Sequence, residues 1–368
     1  ALKSLYSEHD WEAAKINHTI YGIPGGQSVS WVVGFEYNKK VAETLNLDLS
    51  HIEKMEDWGQ VLKAVHQKYP QMYGVASAVG ANIGNGMNPS NQWDGLMDSL
   101  GVIVYDEDVN KVVNLFETAT YESYLKMWRN WYENGYVQPD MATTSDTFKE
   151  LAKEGKAFSA FVGMSSYDMY KYQNDNSEEA GFIQIGRTHK FTGSAGRVQW
   201  NVLADSEHPD IAVKFLNLLA EDREVADLFL YGEKGVNYQV KEDGTYTFVN
   251  GENEENAAYH PQLTLPDQYI AGTWEFMRDV QSVKELVKKA DDNAIESPAY
   301  GFCFDTSEVT GQIINCRKVM DKYVDLLESG AVDPDKVLPK FCEELRAAGI
   351  EEIIQKKQTQ YSEFLKGE

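Results

Sequence analysis

The sequence predicts an α/β protein of two lobes, and three observations carry that expectation. Strand-like and helix-like patterns alternate along most of the chain. The length of 368 residues exceeds what one hydrophobic core usually supports. Two β-favouring runs led by glycine, at 19–40 and 193–203, read as places where the chain crosses from one rigid body to another. In the first, Ile20, Tyr21 and Ile23 are followed by Pro24, Gly25 and Gly26, and β-favouring residues resume from Val29 to Tyr37. Gly25 and Gly26 permit backbone angles that other residues avoid, and Pro24 fixes its own, so this joint is a candidate hinge. In the second, Gly193 and Gly196 stand ahead of the β run.

Between and after the crossings the elements follow in order. A short helix over 2–15 leads into the first crossing. Asp57 can cap a helix running to Tyr69, with Trp58, Val61, Leu62 and Val65 on one face and Pro70 at its end. A strand at 72–77 opens into a glycine- and asparagine-rich loop at 80–91, which delivers the chain to Trp93 and a helix through Leu100. A hairpin is expected over 102–117 around Asp106, Glu107 and Asp108. The helix at 119–134 carries Tyr121, Tyr124, Trp128 and Trp131 on one face, a stripe read as core packing. A short helix at 145–155 precedes the strand 157–163, and Ser165 and Ser166 then open another helix. A strand at 181–186 precedes the second crossing. Helices at 208–220 and 223–231 follow, the first with Ile211, Ala212, Phe215, Leu218 and Leu219 on one face. A hairpin turns at Asp243 and Gly244, and 251–269 is irregular. A helix spans 274–290, 297–305 is an extended link, and three amphipathic helices broken at Gly330 and Gly349 close the chain.

Composition narrows the function. The 42% hydrophobic and 25% charged residues are those of a globular protein, and no apolar run approaches the length of a membrane helix. A net charge of −24 repels nucleic acid and anionic membranes. Three cysteines, Cys303, Cys316 and Cys342, are too few and too widely spaced for a disulfide framework or a zinc site, and read as small buried hydrophobes. The first residues carry no export signal, which leaves a cytoplasmic protein or one from which such a segment has been removed.

The sequence shows no zinc-protease pattern, P-loop, nucleophile elbow or dinucleotide fingerprint, its seven histidines are scattered, and no carboxylate pair stands out. No cofactor or metal is expected, and no catalysis. Aromatic residues are plentiful instead: Trp31, Trp93, Tyr167, Trp200, Tyr238 and Trp274 stand at element ends beside glycine or amides. Flat rings beside hydrogen-bonding groups suit a sugar, whose C–H face stacks while its hydroxyls pair.

The run WEAAKINHTIYGIP, continuing as VSWVVGFEYNKKVAETLNLDL and then MYGVAS, resembles the hinge region of the family 1 extracellular solute-binding proteins of bacterial ABC importers, the group that includes maltose-binding protein. Tyr37, Asn38 and Lys39 match the segment after that family's crossing strand. GSAGRVQWNVLADSEHPDIAVKFLNLL is similar to its second crossing and following helix, and LYGEKGVNYQV together with residues 301–365 is similar to a Gram-positive lipoprotein subset with a characteristic C-terminal region. The resemblance implies a two-lobed periplasmic-binding-protein-like fold of type II: residues 1–24 and 192–280 in the first lobe, 25–191 in the second, and 281–368 as a helical region packing mainly on the second. Family members begin with an export signal and a strand-helix-strand block that does not precede Ala1, so the first part of lobe 1 is expected to be missing.

On this resemblance the chain is the extracellular receptor of an ABC importer. It captures a small polar solute, with a carbohydrate or oligosaccharide favoured, by hinge closure of an interlobe cleft. Trp31, Asn91, Trp93, Tyr167, Arg197 and Trp200 are the implied cleft contacts, with Arg197 the partner for a charged or strongly polar group. Pro24, Gly25, Gly26, Gly193 and Gly196 are the hinge positions. The implied partners are the solute and the permease subunits, with no nucleic acid, and the implied state is a secreted, lipid-anchored monomer. A peptide receptor is the alternative within the class. A glycoside hydrolase, which needs two carboxylates at a fixed separation, and a structural surface protein are the alternatives outside it.

Overall fold

The computed structural model describes residues 2–16, 19–25, 28–78, 92–175, 179–196, 198–253, 256–259, 261, 265–267, 269–274 and 280–367. A short 3-10 helix (Leu2–Ser4) and α1 (Glu8–Ala13) lead to β1 (Ile23–Pro24). Next come β2 (Trp31–Asn38), α2 (Lys39–Thr44), α3 (Met55–Lys68), β3 (Tyr73–Val75), β4 (Trp93–Asp94) and β5 (Ile103–Val104). These are followed by α4 (Ala119–Glu133), α5 (Phe148–Lys153), β6 (Ala157–Ser165), α6 (Ser166–Asp175), β7 (Ala180–Lys190) and β8 (Gln199–Trp200). The remainder is α7 (Pro209–Leu219), α8 (Arg223–Tyr231), β9 (Tyr238–Val240), β10 (Tyr246–Phe248), α9 (Val280–Asn293), β11 (Ile295–Glu296), α10 (Thr310–Glu328), α11 (Pro334–Ala348) and α12 (Ile350–Lys366).

The chain forms two compact units: Ala1–Ser30, Ser165–Asp175 and Gly193–Ala294 make the first, and Trp31–Met164, Asn176–Thr192 and Ile295–Glu368 the second. The mixed α/β, two-lobed class is the expected one, but the division is not where the sequence placed it. Helix α6 and all of α9 belong to the first unit, and the first change of unit falls after Ser30 instead of at Pro24. Pairing explains the shift: Ile23 and Pro24 sit opposite Trp200 and Gln199 in an antiparallel ladder, which binds the Pro-Gly segment to the first unit.

The second unit is built on a five-stranded mixed sheet in the order β11-β7-β2-β6-β3. Phe35 of β2 stacks on Trp58 of α3 at 4.6 Å, and Trp58 donates its indole N–H to Ser159 at 3.1 Å. Thr118 caps α4 through Tyr121 N, and the expected stripe Tyr121, Tyr124, Trp128 and Trp131 is buried in this core. The terminal helices enter the same core with Tyr323, Phe341, Leu345, Ile350, Ile353 and Tyr361. Cys316 and Cys342 are buried as small hydrophobes, whereas Cys303 is exposed.

In the first unit, Leu216, Leu219, Ala226 and Leu230 pack on Leu2 and Leu265, while Tyr238, Tyr246 and Trp274 form a second cluster. Helix α7 buries only part of the face its pattern suggests: Leu219 is buried, but Ile211, Phe215 and Leu218 are exposed, because the apolar residues run nearly round the helix and Leu216 takes the other inner position. The helix expected from Trp93 to Leu100 is absent. Asp94 and Asp98 hydrogen-bond the backbone two residues ahead, at Leu96 N and Leu100 N, which favours turns over helix. Helix α9 is described over Val280–Asn293, with 275–279 outside the described residues, and Trp274, where the helix was expected to begin, instead bridges to Tyr246. Among the described residues no helix is long and apolar enough to cross a membrane.

Candidate functional site

The chain changes units after Ser30, Met164, Asp175, Thr192 and Ala294, and each unit holds a polar cluster at such points. In the first unit, Asp291 in the last turn of α9 receives hydrogen bonds from Ser28 Oγ at 2.7 Å, Ser30 N at 3.0 Å and Ser30 Oγ at 2.5 Å. Ser30 O in turn accepts from Ser166 N at 3.1 Å, and the two serine hydroxyls lie 2.6 Å apart. Ser30 and Ser166 are buried. One carboxylate thus ties together the segment before β2, the first residue of α6 and the end of α9. Burial raises the Asp291 pKa against the pull of these donors, which favour the ionised form.

In the second unit the corresponding group is Asp94, 2% exposed. One of its oxygens accepts from Thr192 N and Thr192 Oγ1, both at 2.8 Å, and the other from Leu96 N at 3.0 Å. Thr192 O accepts from Gly301 N at 3.1 Å, so both main-chain polar groups of the last residue before the crossing are held. Beside it a column of rings runs Tyr105, His189, Phe191, with near-parallel planes and centroids 5.5 and 5.7 Å apart. Trp31 is in register with His189 across the β2–β7 ladder. Burial, helped by Arg187, pushes the His189 imidazole down to about 4, so it is neutral at physiological pH. Burial and the Asp94 carboxylate raise the Tyr105 phenol. The Lys190 ammonium lies 5.5 Å over the Tyr300 ring.

The structure sorts the sequence candidates. Trp31 and Trp200 are half-buried at the start of β2 and the end of β8, each packed against the core of its own unit, with the Trp200 ring 6.0 Å from Phe229. Trp93 and Tyr167 are corrections: Trp93 is 2% exposed in the core of the second unit, and Tyr167, 9% exposed, packs on Tyr269, Val283 and Val287. Large aromatics at element ends were filling space there. Asn91, Arg197 and Gly26 lie outside the described residues. Of the other hinge positions, Pro24 and Gly25 are locked into the β1–β8 region, with Gly25 N donating to Val198 O at 2.9 Å. Gly193 and Gly196 form a turn closed by a 3.1 Å hydrogen bond, directly after the crossing at Thr192. Sequence reading missed Tyr105, His189 and Phe191. Their signal was the two-residue spacing of His189 and Phe191, which puts both on one face of an extended chain.

Among the described residues no cluster of histidine, cysteine or carboxylate could hold a metal ion. Two hollows in the second unit, about 290 and 520 Å³, are lined by other residues: the first by Met55, Gln92 and the start of α4, the second by the 107–119 segment and α12. The arrangement offers neutral rings, hydroxyls and fixed carboxylates.

Comparison with known proteins follows the same direction. Residues 4–251 match the family model described as bacterial extracellular solute-binding protein, and residues 298–366 match a domain of unknown function (DUF3502). A carbohydrate ABC transporter substrate-binding protein of Streptococcus pneumoniae is 26% identical over 370 residues, covering 99% of this chain and 74% of the relative. The crystal structure of the N-glycan transport solute-binding protein of S. pneumoniae in complex with Man1GlcNAc matches 99% of this chain and 80% of that one, with 25% identity and a TM-score of 0.78. An S. pneumoniae ABC-transporter substrate-binding protein in complex with kestose shares the fold, at 15% identity, a TM-score of 0.61, and coverage of 98% and 79%.

Proposed function

Because the chain belongs to the bacterial extracellular solute-binding proteins, we propose that it captures an oligosaccharide containing mannose or N-acetylglucosamine and presents it to the membrane permease of an ABC importer. One observation carries the choice of sugar: the likeness, over 99% of this chain, to the N-glycan transport receptor. The receptor works as a monomer tethered to the outer face of the cell membrane by a lipid anchor. It binds and releases the sugar without cutting it. Trp31 and Trp200 stack on pyranose faces, Asn91 and Arg197 supply polar contacts, and the half-buried Tyr105 and Phe191 extend the aromatic surface, with the buried His189 packed between them. The segments at Ser30–Trp31 and Thr192–Gly193 absorb the bend when the lobes close.

Calorimetric titration with mannose–N-acetylglucosamine oligosaccharides, kestose and short peptides tests this reading. The first panel is expected to bind, to raise the melting temperature as its concentration passes Kd, and to be recovered intact. Trp31→Ala and Trp200→Ala should each weaken binding about tenfold, or roughly 1.4 kcal/mol. Folded protein that binds only peptides, or that shortens the glycan, defeats the proposal.

A further inference from the structure

The turn that follows β4 is strained. Of the five non-glycine residues with positive φ among the described residues, three lie in it: Leu96 at 46°, Met97 at 78° and Ser99 at 60°, and Gly101 at 97° ends it. Such angles are costly for a residue with a side chain and persist only where the surroundings impose them. The local hydrogen bonds account for part of this: Asp94 and Asp98 hold Leu96 N and Leu100 N, and Ser99 N donates to Gly95 O at 2.8 Å.

The remaining restraint comes from α12. Lys357 is fully buried, and its Nζ donates to Asp98 Oδ1, to Leu100 O at 2.9 Å and to Gly101 O at 3.2 Å, with the Phe304 ring 5.0 Å away. An apolar side chain at this place would fill the same volume without the cost of dehydrating an ammonium. What an apolar side chain lacks is three donors that meet one carboxylate and two carbonyls of a left-handed turn. The turn leads back to Asp94, whose second oxygen grips Thr192 N and Oγ1. Gly301, in the same C-terminal module, holds Thr192 O.

We propose that Lys357 is a positioning residue: through the 94–101 turn and Asp94, the module of unknown function fixes Thr192, the second unit's end of a chain crossing, and so sets the pivot for closure on the sugar. Asp98 and the two carbonyls are the points of leverage, and Gly301 is the module's direct grip on the same residue. The part concerning closure rests on the receptor reading above, whereas the anchoring of Thr192 does not.

Two kinds of measurement separate the parts. Amide hydrogen exchange in the ligand-free protein reads the anchoring, and titration with the mannose–N-acetylglucosamine disaccharide reads its use. The variants are Lys357→Met and the pair Lys357→Met with Asp98→Asn. The pair removes the partly buried carboxylate that the single variant leaves without its partner, so it relieves that cost to folding, and it still lacks the donors to Leu100 O and Gly101 O. Lys356→Gln, which loses only a surface ion pair with Glu308, is the control.

The expected result for the double variant is exchange at Leu96, Ser99 and Thr192 at least tenfold faster than wild type, with the β2–β7 amides unchanged, and a Kd raised at least fivefold. Unchanged Thr192 exchange, acceleration spread evenly over the core, or local acceleration with unaltered affinity each overturns it. Wild-type protein that ignores the disaccharide defeats the receptor reading. The exchange data then still decide the anchoring.

Discussion

Glu328, 7% exposed on α10, accepts a hydrogen bond from the Tyr121 hydroxyl at 2.9 Å, and burial lifts its pKa from 4.5 to about 8. Below pH 4.5 the folded and unfolded chains both carry the proton, so the group costs nothing. Between 4.5 and about 8 the unfolded chain releases the proton while the folded one keeps it. Stability therefore falls as pH rises, by up to about 1.4 kcal/mol per unit, and levels off above the folded pKa. Glu328→Gln keeps an acceptor for Tyr121 and has no proton to lose, so the variant should gain on wild type steadily from pH 5 to pH 8 in urea unfolding. A gap that stays constant with pH would show that Glu328 ionises freely in the folded protein. At this scale some residues were legible and others were not. Tyr121 and Trp128 declared themselves as core by helical spacing, whereas Trp93 and Tyr167 could not, because the burial of one aromatic at an element end depends on what folds over it.

Among elements, the β2–β7 ladder carries the closest backbone approach at a strand glycine. A Cβ on Gly34 would stand 2.0 Å from Ile183 O, a backbone atom that cannot move without breaking the ladder. Gly34→Ala should cost at least about 2 kcal/mol, the upper part of the range for overpacking, read as a lower urea midpoint. The serine and aspartate knot makes a second prediction. Asp291→Ala leaves Ser28 Oγ and Ser30 N without their shared acceptor, at a cost of about 1–3 kcal/mol. It should also speed amide exchange at Ser30 and Ser166 while leaving the β9–β10 hairpin as it was, and equal acceleration in both places would make the loss merely global. The sequence made strand β2 and helices α3 and α4 readable through local pattern. It misled over 93–100, where a helix was expected after the asparagine-rich loop. The aspartates and the buried Lys357, which comes from more than 250 positions further along the chain, impose a turn.

At the scale of the whole molecule, the two family matches end and begin at 251 and 298, while the units change at Ala294 and Ile295. Periodicity showed that the last three helices were amphipathic, but not which core their apolar faces enter, since that partner lies far away in sequence. Phe341, Leu345, Ile350, Ile353 and Tyr361 share one core with Phe35, Trp58 and Trp128. Each such side chain contributes about 1.5–3 kcal/mol on burial, against a net stability of about 5–15 kcal/mol for a typical domain. Losing the module therefore exceeds what the second unit can absorb. A chain ending at residue 297 should lose the second unit's share of the cooperative thermal transition and of the near-ultraviolet circular dichroism, the first unit keeping its own core, and residues 298–368 alone should show no cooperative transition, because their apolar faces meet no partner. A shortened chain that keeps the second unit's transition and still binds the glycan would make the C-terminal module an appendage. The structure instead has its side chains in the same core as the central sheet, so loss of folding in the second unit is the expected outcome.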